Sequence, residues 1–182
     1  MERKSYFWLA LALILFFYLG PVTAQSMGDF KPGTEPKGFR GLEWATDFSA
    51  VQRDMVFTAE DSSYGGIQQY TRNEDHLTIG GAKLDRIIYA FWRGKLASVE
   101  IFVKGSANWV DLKRETFEKF GEGFQSNKDI EDYFWSGNIS SMLLEYNKIS
   151  NIGSLYIRSE KMFHQMKQYS KEKAKQGVEE GF

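Results

Sequence analysis

Apolar and polar positions alternate most regularly between Arg86 and Val103. The runs Arg86-Ile87-Ile88-Tyr89-Ala90-Phe91-Trp92 and Leu96-Ala97-Ser98-Val99-Glu100-Ile101-Phe102-Val103 flank Arg93-Gly94-Lys95. Two stretches rich in β-branched and aromatic residues around a three-residue loop containing Gly predict a β-hairpin. Side chains alternate along a strand, so Ala97, Val99, Ile101 and Val103 fall on one face and Ser98, Glu100, Phe102 and Lys104 on the other. One buried and one mostly wet face is the pattern of an antiparallel sheet covered on one side.

The pattern changes period on either side of the hairpin. Thr46 or Asp47 can cap a short helix carrying Phe48 and Val51. Ile67 to Thr71 and Leu77 to Ile79 read as strands. After Gly105, Trp109, Leu112, Phe117 and Phe120 lie near one side of a predicted helix that stops at Gly121. Asp132–Trp135, Ser141–Tyr146 and Ser154–Arg158 are strand candidates. A last helix starts near Glu160 with Met162, Met166 and Tyr169 on one stripe. The predicted class is α+β: a two-layer domain, an antiparallel sheet with helices packed on one face. The order helix, three strands, helix, three strands, helix fits either a duplicated α-β-β-β unit plus a C-terminal helix or two halves matched by accident.

The first 24 residues follow a different rule. Glu2-Arg3-Lys4 precedes an uninterrupted apolar, aromatic and Gly run from Tyr6 to Gly20, then Pro21-Val22-Thr23-Ala24. A charged start, an apolar stretch and small residues at −3 and −1 read as a secretory signal cleaved between Ala24 and Gln25. The run is shorter than the ~20 residues a helix needs to cross the membrane, so the membrane enters the prediction only through this segment. The expected organisation is residues 1–24 signal peptide, 25–38 flexible leader, 39–170 one α+β domain, and 171–182 a frayed charged tail.

Composition narrows the function. The chain has 182 residues and no cysteine, so an exported domain of this kind must hold itself together by packing rather than disulfides. Its aromatic content of 16% suits that need. Absence of cysteine points to a bacterial periplasmic or secreted location and removes lipid attachment at the cleavage site. A formal net charge of −1 with interspersed signs gives no footprint for nucleic acid.

No catalytic, cofactor-binding or metal motif stands out. His76 sits in a polar turn, and Glu160 with His164 makes an i, i+4 pair that is one pair rather than a site. Gly80-Gly81 lies between strand candidates and Gly121 follows a helix, neither a phosphate cradle. The remaining lead is aromatic. Trp92 and Phe102 fall on the outward face of neighbouring strands and form the candidate partner surface. The expected function is a non-enzymatic binding module for an envelope protein or cell-wall component. The alternative is a periplasmic hydrolase-type enzyme whose carboxylates converge only in space.

The segments Phe39-Arg40-Gly41-Leu42-Glu43-Trp44-Ala45-Thr46, Ile79-Gly80-Gly81-Ala82 and Tyr89-Ala90-Phe91-Trp92-Arg93-Gly94-Lys95-Leu96 resemble uncharacterised exported bacterial proteins. Those share an F-R-G-x-x-W-G-T start and a later F-x-x-G-K-L. Ala45 departs from the usual Gly. More distantly, the helix-then-strands unit is similar to β-lactamase-inhibitor-protein-like domains and to the small lipoprotein of the β-barrel assembly machinery. The resemblance implies export and a binding fold, not an activity; the absent lipobox cysteine argues against the lipoprotein's role.

Overall fold

The computed structural model describes residues 28–180, so the expected signal and its cleavage point at Ala24 and Gln25 lie outside the described residues. Two short hairpins, β1 (Gly38–Phe39) with β2 (Leu42–Glu43) and β5 (Thr78–Ile79) with β6 (Ala82–Lys83), flank the main sheet. That sheet contains β3 (Met55–Asp61), β4 (Ile67–Arg72), β7 (Arg86–Trp92), β8 (Lys95–Lys104), β9 (Asp132–Ser136), β10 (Ser140–Asn147) and β11 (Ile152–Ser159). Its order is β3-β4-β7-β8-β11-β10-β9, antiparallel throughout. Helices α1 (Ser106–Phe120) and α2 (Glu160–Glu180) complete an α+β domain.

Alternation along the strands builds the core. Ile87, Tyr89 and Phe91 of β7, Val99, Ile101 and Val103 of β8, Leu155 and Ile157 of β11, and Met142 and Leu144 of β10 form one buried cluster. Trp109, Leu112 and Phe120, at helical spacing on α1, close it from above. Trp109 stacks on Tyr146 with centroids 5.1 Å apart. A Cβ at Gly153 would stand 2.7 Å from the Trp109 ring, so only Gly lets the indole lie on β11 there.

Several features depart from the sequence reading. The β7–β8 turn is two residues, not three: Arg93 and Gly94 both have positive φ, as a type I′ turn requires. A bulge opposite Ala90 and Phe91 makes Ala97 the extra residue of β8. Leu96 therefore takes the core position, while Ala97 is buried with Trp92, Met162 and Met166 on the other face. The helices do not share one face. α1 covers the large core, whereas α2 packs Met162 and Met166 on the opposite side, where Trp92, Ala97, Ile67 and Tyr64 supply its apolar partners. Finally, the first predicted helix is two 3₁₀ turns, Phe48–Ala50 and Gln52–Asp54.

The segment read as a flexible leader is packed from Gly28 onward. Phe30 is buried in the core, and Lys31 N–H donates to the Phe120 carbonyl at 2.7 Å. A Glu35 carboxylate oxygen accepts from the amides of Ile139 and Ser140 at 2.5 and 2.9 Å. Trp44 Nε1 donates to Ser140 Oγ at 2.7 Å and to the Pro36 carbonyl at 3.2 Å. The Phe39–Trp44 segment thus clamps the leader to β10. At the other end, α2 continues past Ser170 to Glu180, with Lys171 to Gln176 as exposed helical turns instead of a frayed tail.

Candidate functional site

α2 covers only one end of the sheet's second face. Beyond it, directly paired residues form a row across five strands: Ile88 on β7, Glu100 on β8, Tyr156 on β11, Leu143 on β10 and Phe134 on β9. A parallel row holds Arg86, Phe102, Ser154, Glu145 and Asp132. Strand pairing sets neighbouring side chains on one face a few ångströms apart, so the two rows make a continuous surface. Ile88, Phe102, Leu143 and Tyr156 are partly exposed, and Phe134 is 39% exposed. The Arg86 guanidinium lies 4.0 Å from the Phe102 ring centroid, an arrangement that keeps a cation over an apolar surface.

This face deepens toward the loop before β9 and the β10–β11 turn, forming a groove of about 570 Å³. Glu100 and Phe102 line it together with Ile130, which is exposed, and the carboxylates of Asp129, Glu131, Asp132 and Glu145. Lys148 is the cation among its lining residues. Lys113 reaches Glu131 from outside at 2.8 Å, and that hydrogen bond, partly offset by burial, holds the Glu131 carboxyl below its ordinary range. Glu100 has no ion pair among the described residues. Burial first, then the nearby Glu145 charge, push its carboxyl up, with Arg86 pulling the other way. Burial likewise raises the Tyr156 phenol. Asp132 Oδ1, at the same end, is buried without a hydrogen-bond partner. The groove is negative and its floor is partly apolar.

α2 is anchored beside this surface by polar contacts. Arg158 Nε donates to Ser141 Oγ at 2.8 Å and to Glu160 Oε1 at 3.1 Å, and its guanidinium sits 3.6 Å from the Phe163 ring centroid. Burial raises the Glu160 carboxyl, but hydrogen bonds from Ser141 and Arg158 outweigh it, and the net shift is downward. His164 Nε2 stands 3.8 Å from Glu160 Oε2 and is exposed. Among the described residues no group of three or more His, Cys, Asp or Glu could hold a metal ion.

His76 lines a separate polar cleft of about 810 Å³ with Arg40, Asp54, Arg72, Glu74 and Asp75. Asp75 is committed there: it pairs with Arg40 and accepts from Tyr89 Oη at 2.6 Å. Burial, then that hydrogen bond, push the Tyr89 phenol strongly upward. Arg40 Nη2 also donates to the Thr78 carbonyl at 3.0 Å. This cluster ties the β1–β2 turn to the turn before β5 and to the core. It gives the Phe39-Arg40-Gly41 stretch a structural job.

Trp92 and Phe102 share a sheet face, but only one is available. Trp92 is 5% exposed. α2 covers it: Tyr169 makes an edge contact at 6.0 Å, and the indole N–H donates to the Tyr64 carbonyl at 2.9 Å. Phe102 stays at the groove. Sequence reasoning missed Glu100, whose signal was a lone carboxylate inside an otherwise β-rich run. It also missed Tyr156, Leu143 and Phe134, because pairing across distant strands cannot be read from one strand.

Among the described residues no helix is long and apolar enough to cross a membrane. In comparisons with known proteins, the chain matches no family model, no curated protein and no solved structure.

Proposed function

We propose that this is an exported, non-enzymatic binding protein of the bacterial envelope, released by cleavage between Ala24 and Gln25, that holds a polypeptide partner on the uncovered face of its sheet. The observation that carries the reading is the partly exposed row Ile88–Tyr156–Leu143–Phe134 with Phe102 beside it, continuous with a groove rich in carboxylates. An apolar surface rimmed by polar residues is what partners bury. The charge calls for a segment bearing Lys or Arg between apolar side chains. The likeness to exported bacterial proteins and to β-lactamase-inhibitor-protein-like domains belongs to the same proposal. So does the duplicated unit, supported by the mirrored order β4-β7-β8 and β11-β10-β9, in which the last strand of each half lies at the centre.

A photo-crosslinking side chain at position 102 or 143 in the native envelope tests it. The same envelope protein should be captured from both positions and not from exposed Val110 on α1. Equal capture from all three, or none from 102 and 143, overturns the binding face. Amino-terminal sequencing of the same material should begin at Gln25.

One observation favours the hydrolase reading: Glu100, its carboxyl raised by burial and by Glu145, lines an open groove. A hydrolase would release reducing ends from isolated cell wall and lose that activity in Glu100→Gln. A binding module would release none.

A further inference from the structure

A second cavity, of about 530 Å³, lies on the core side of the sheet, between the C-terminal half of α1 and the β1–β2 and β5–β6 hairpins. Its size falls within the range of small-molecule sites. The floor is apolar: Leu155 and Ile157 of central strand β11, with Phe39 and Ile79 in the walls. Polar side chains also line it, and several are engaged. Arg40 is paired with Asp75, Glu115 with Arg114, and the Thr116 hydroxyl donates to the Leu112 carbonyl at 2.7 Å. Lys37 and Lys119 also line the cavity, both exposed and neither in an ion pair among the described residues. Three cations and one carboxylate give the lining a positive balance beside the apolar floor.

From this arrangement we infer a binding site for a single-chain amphipathic anion, its apolar body on Leu155 and Ile157 and its charged end between Lys37 and Lys119. Neither ammonium group has to leave an ion pair to meet an anion at the mouth, although Lys119 Nζ rests 5.1 Å from the Phe120 ring centroid, whereas a cationic head would meet net repulsion. A cavity of 530 Å³ takes one short chain; a two-chain phospholipid exceeds it. The site is independent of the open sheet face, since the two lie on opposite sides of the sheet.

Calorimetric titration with dodecanoate, alongside methyl NMR, tests the assignment. Wild-type protein should bind one dodecanoate, and the methyl shifts should concentrate on Ile79, Leu155 and Ile157. Lys37→Glu with Lys119→Glu should weaken binding at least about tenfold, the equivalent of about 1.4 kcal/mol. Both lysines are exposed, so an unchanged circular dichroism spectrum is expected for that variant, with a small drop in melting temperature because Lys119 is the cation in the last turn of α1. Dodecyltrimethylammonium should not bind, and vesicles of an anionic phospholipid should not compete. Three results overturn the site: no saturable dodecanoate binding, equal binding of the cationic amphiphile, or unchanged affinity in the double variant. Shifts centred on Ile88 and Leu143 would move the amphiphile to the open face and also overturn it.

Discussion

The two faces of the seven-stranded sheet start from the same alternation and end in different states. On one face the large apolar side chains meet α1, and Val99, Ile101, Val103, Leu112 and Leu144 are all 0% exposed. On the other, α2 buries apolar side chains where Trp92, Ala97 and Ile67 face Met162 and Met166, and its contacts with the sheet at Ser141 and Arg158 are polar or cation–π. Beyond that, Ile88, Phe102, Leu143 and Tyr156 stay partly wet. Binary patterning decides which side chains are apolar, but helix placement decides which of them lose water. The incompletely covered face is the one that retains free apolar surface.

The largest effect that can break this comparison comes from adjacent residues on β8. Ile101→Ala leaves a cavity in the sealed face and should cost about 2–5 kcal/mol in urea unfolding. Phe102→Ala, one residue along, removes a half-wet ring and its contact with Arg86 and should cost no more than about 1 kcal/mol. Similar losses for the two would mean that the second face is as tightly packed as the first.

Next in size is the junction of α2 with the sheet. Met162→Ala should cost about 2 kcal/mol, at the low end for a buried Met, because its cluster is small. It should also open Trp92. Iodide quenching assigned to Trp92, by difference against Trp92→Phe, should rise while the α1 core stays intact. Lost stability with no gain in quenching would place the anchor of α2 elsewhere, at the Arg158, Ser141 and Glu160 contacts.

These differences also separate what the chain reveals by itself from what it hides. The β7–β8 hairpin, α1, β9 to β11 and the start of α2 were legible because each carries a local period and a local stop. β3 was not: of its residues only Met55 is buried, so no face is marked by alternation. The misplacement of Ala97 has a similar origin, since a bulge shifts the alternation by one residue without changing composition. The leader looked disordered because its Pro, Gly and polar content is that of a loop. Its order comes from distant partners, Phe120, Ser136 and Ser140 among them. The candidate surface was legible in Phe102 and obscured at Trp92, because no local signal shows that a helix about seventy residues later will fold over it.

The smallest effect is electrostatic and concerns Glu100. Its folded-state pKa is raised above the ordinary carboxylate value of 4.5, so the folded protein holds that proton more tightly than the unfolded chain does. Stability therefore falls as pH rises from the unfolded pKa through the folded one, and it stays reduced above that window. Glu100→Gln removes the dependence. The variant should match the wild type in acid and be more stable at neutral pH, the gap opening just above 4.5. Glu131 supplies the contrast within the same groove. Its pKa is lowered by Lys113, so its contribution is present above the unfolded value and is lost as pH falls through the folded one. Glu131→Gln should thus be less stable than the wild type at neutral pH and converge with it in acid. Denaturant midpoints for the two variants should differ from the wild type with opposite signs at neutral pH and approach zero difference in acid. Two curves of the same sign would show that Glu100 is held by a partner, and the groove would lose the unpaired carboxylate that a basic ligand is expected to meet.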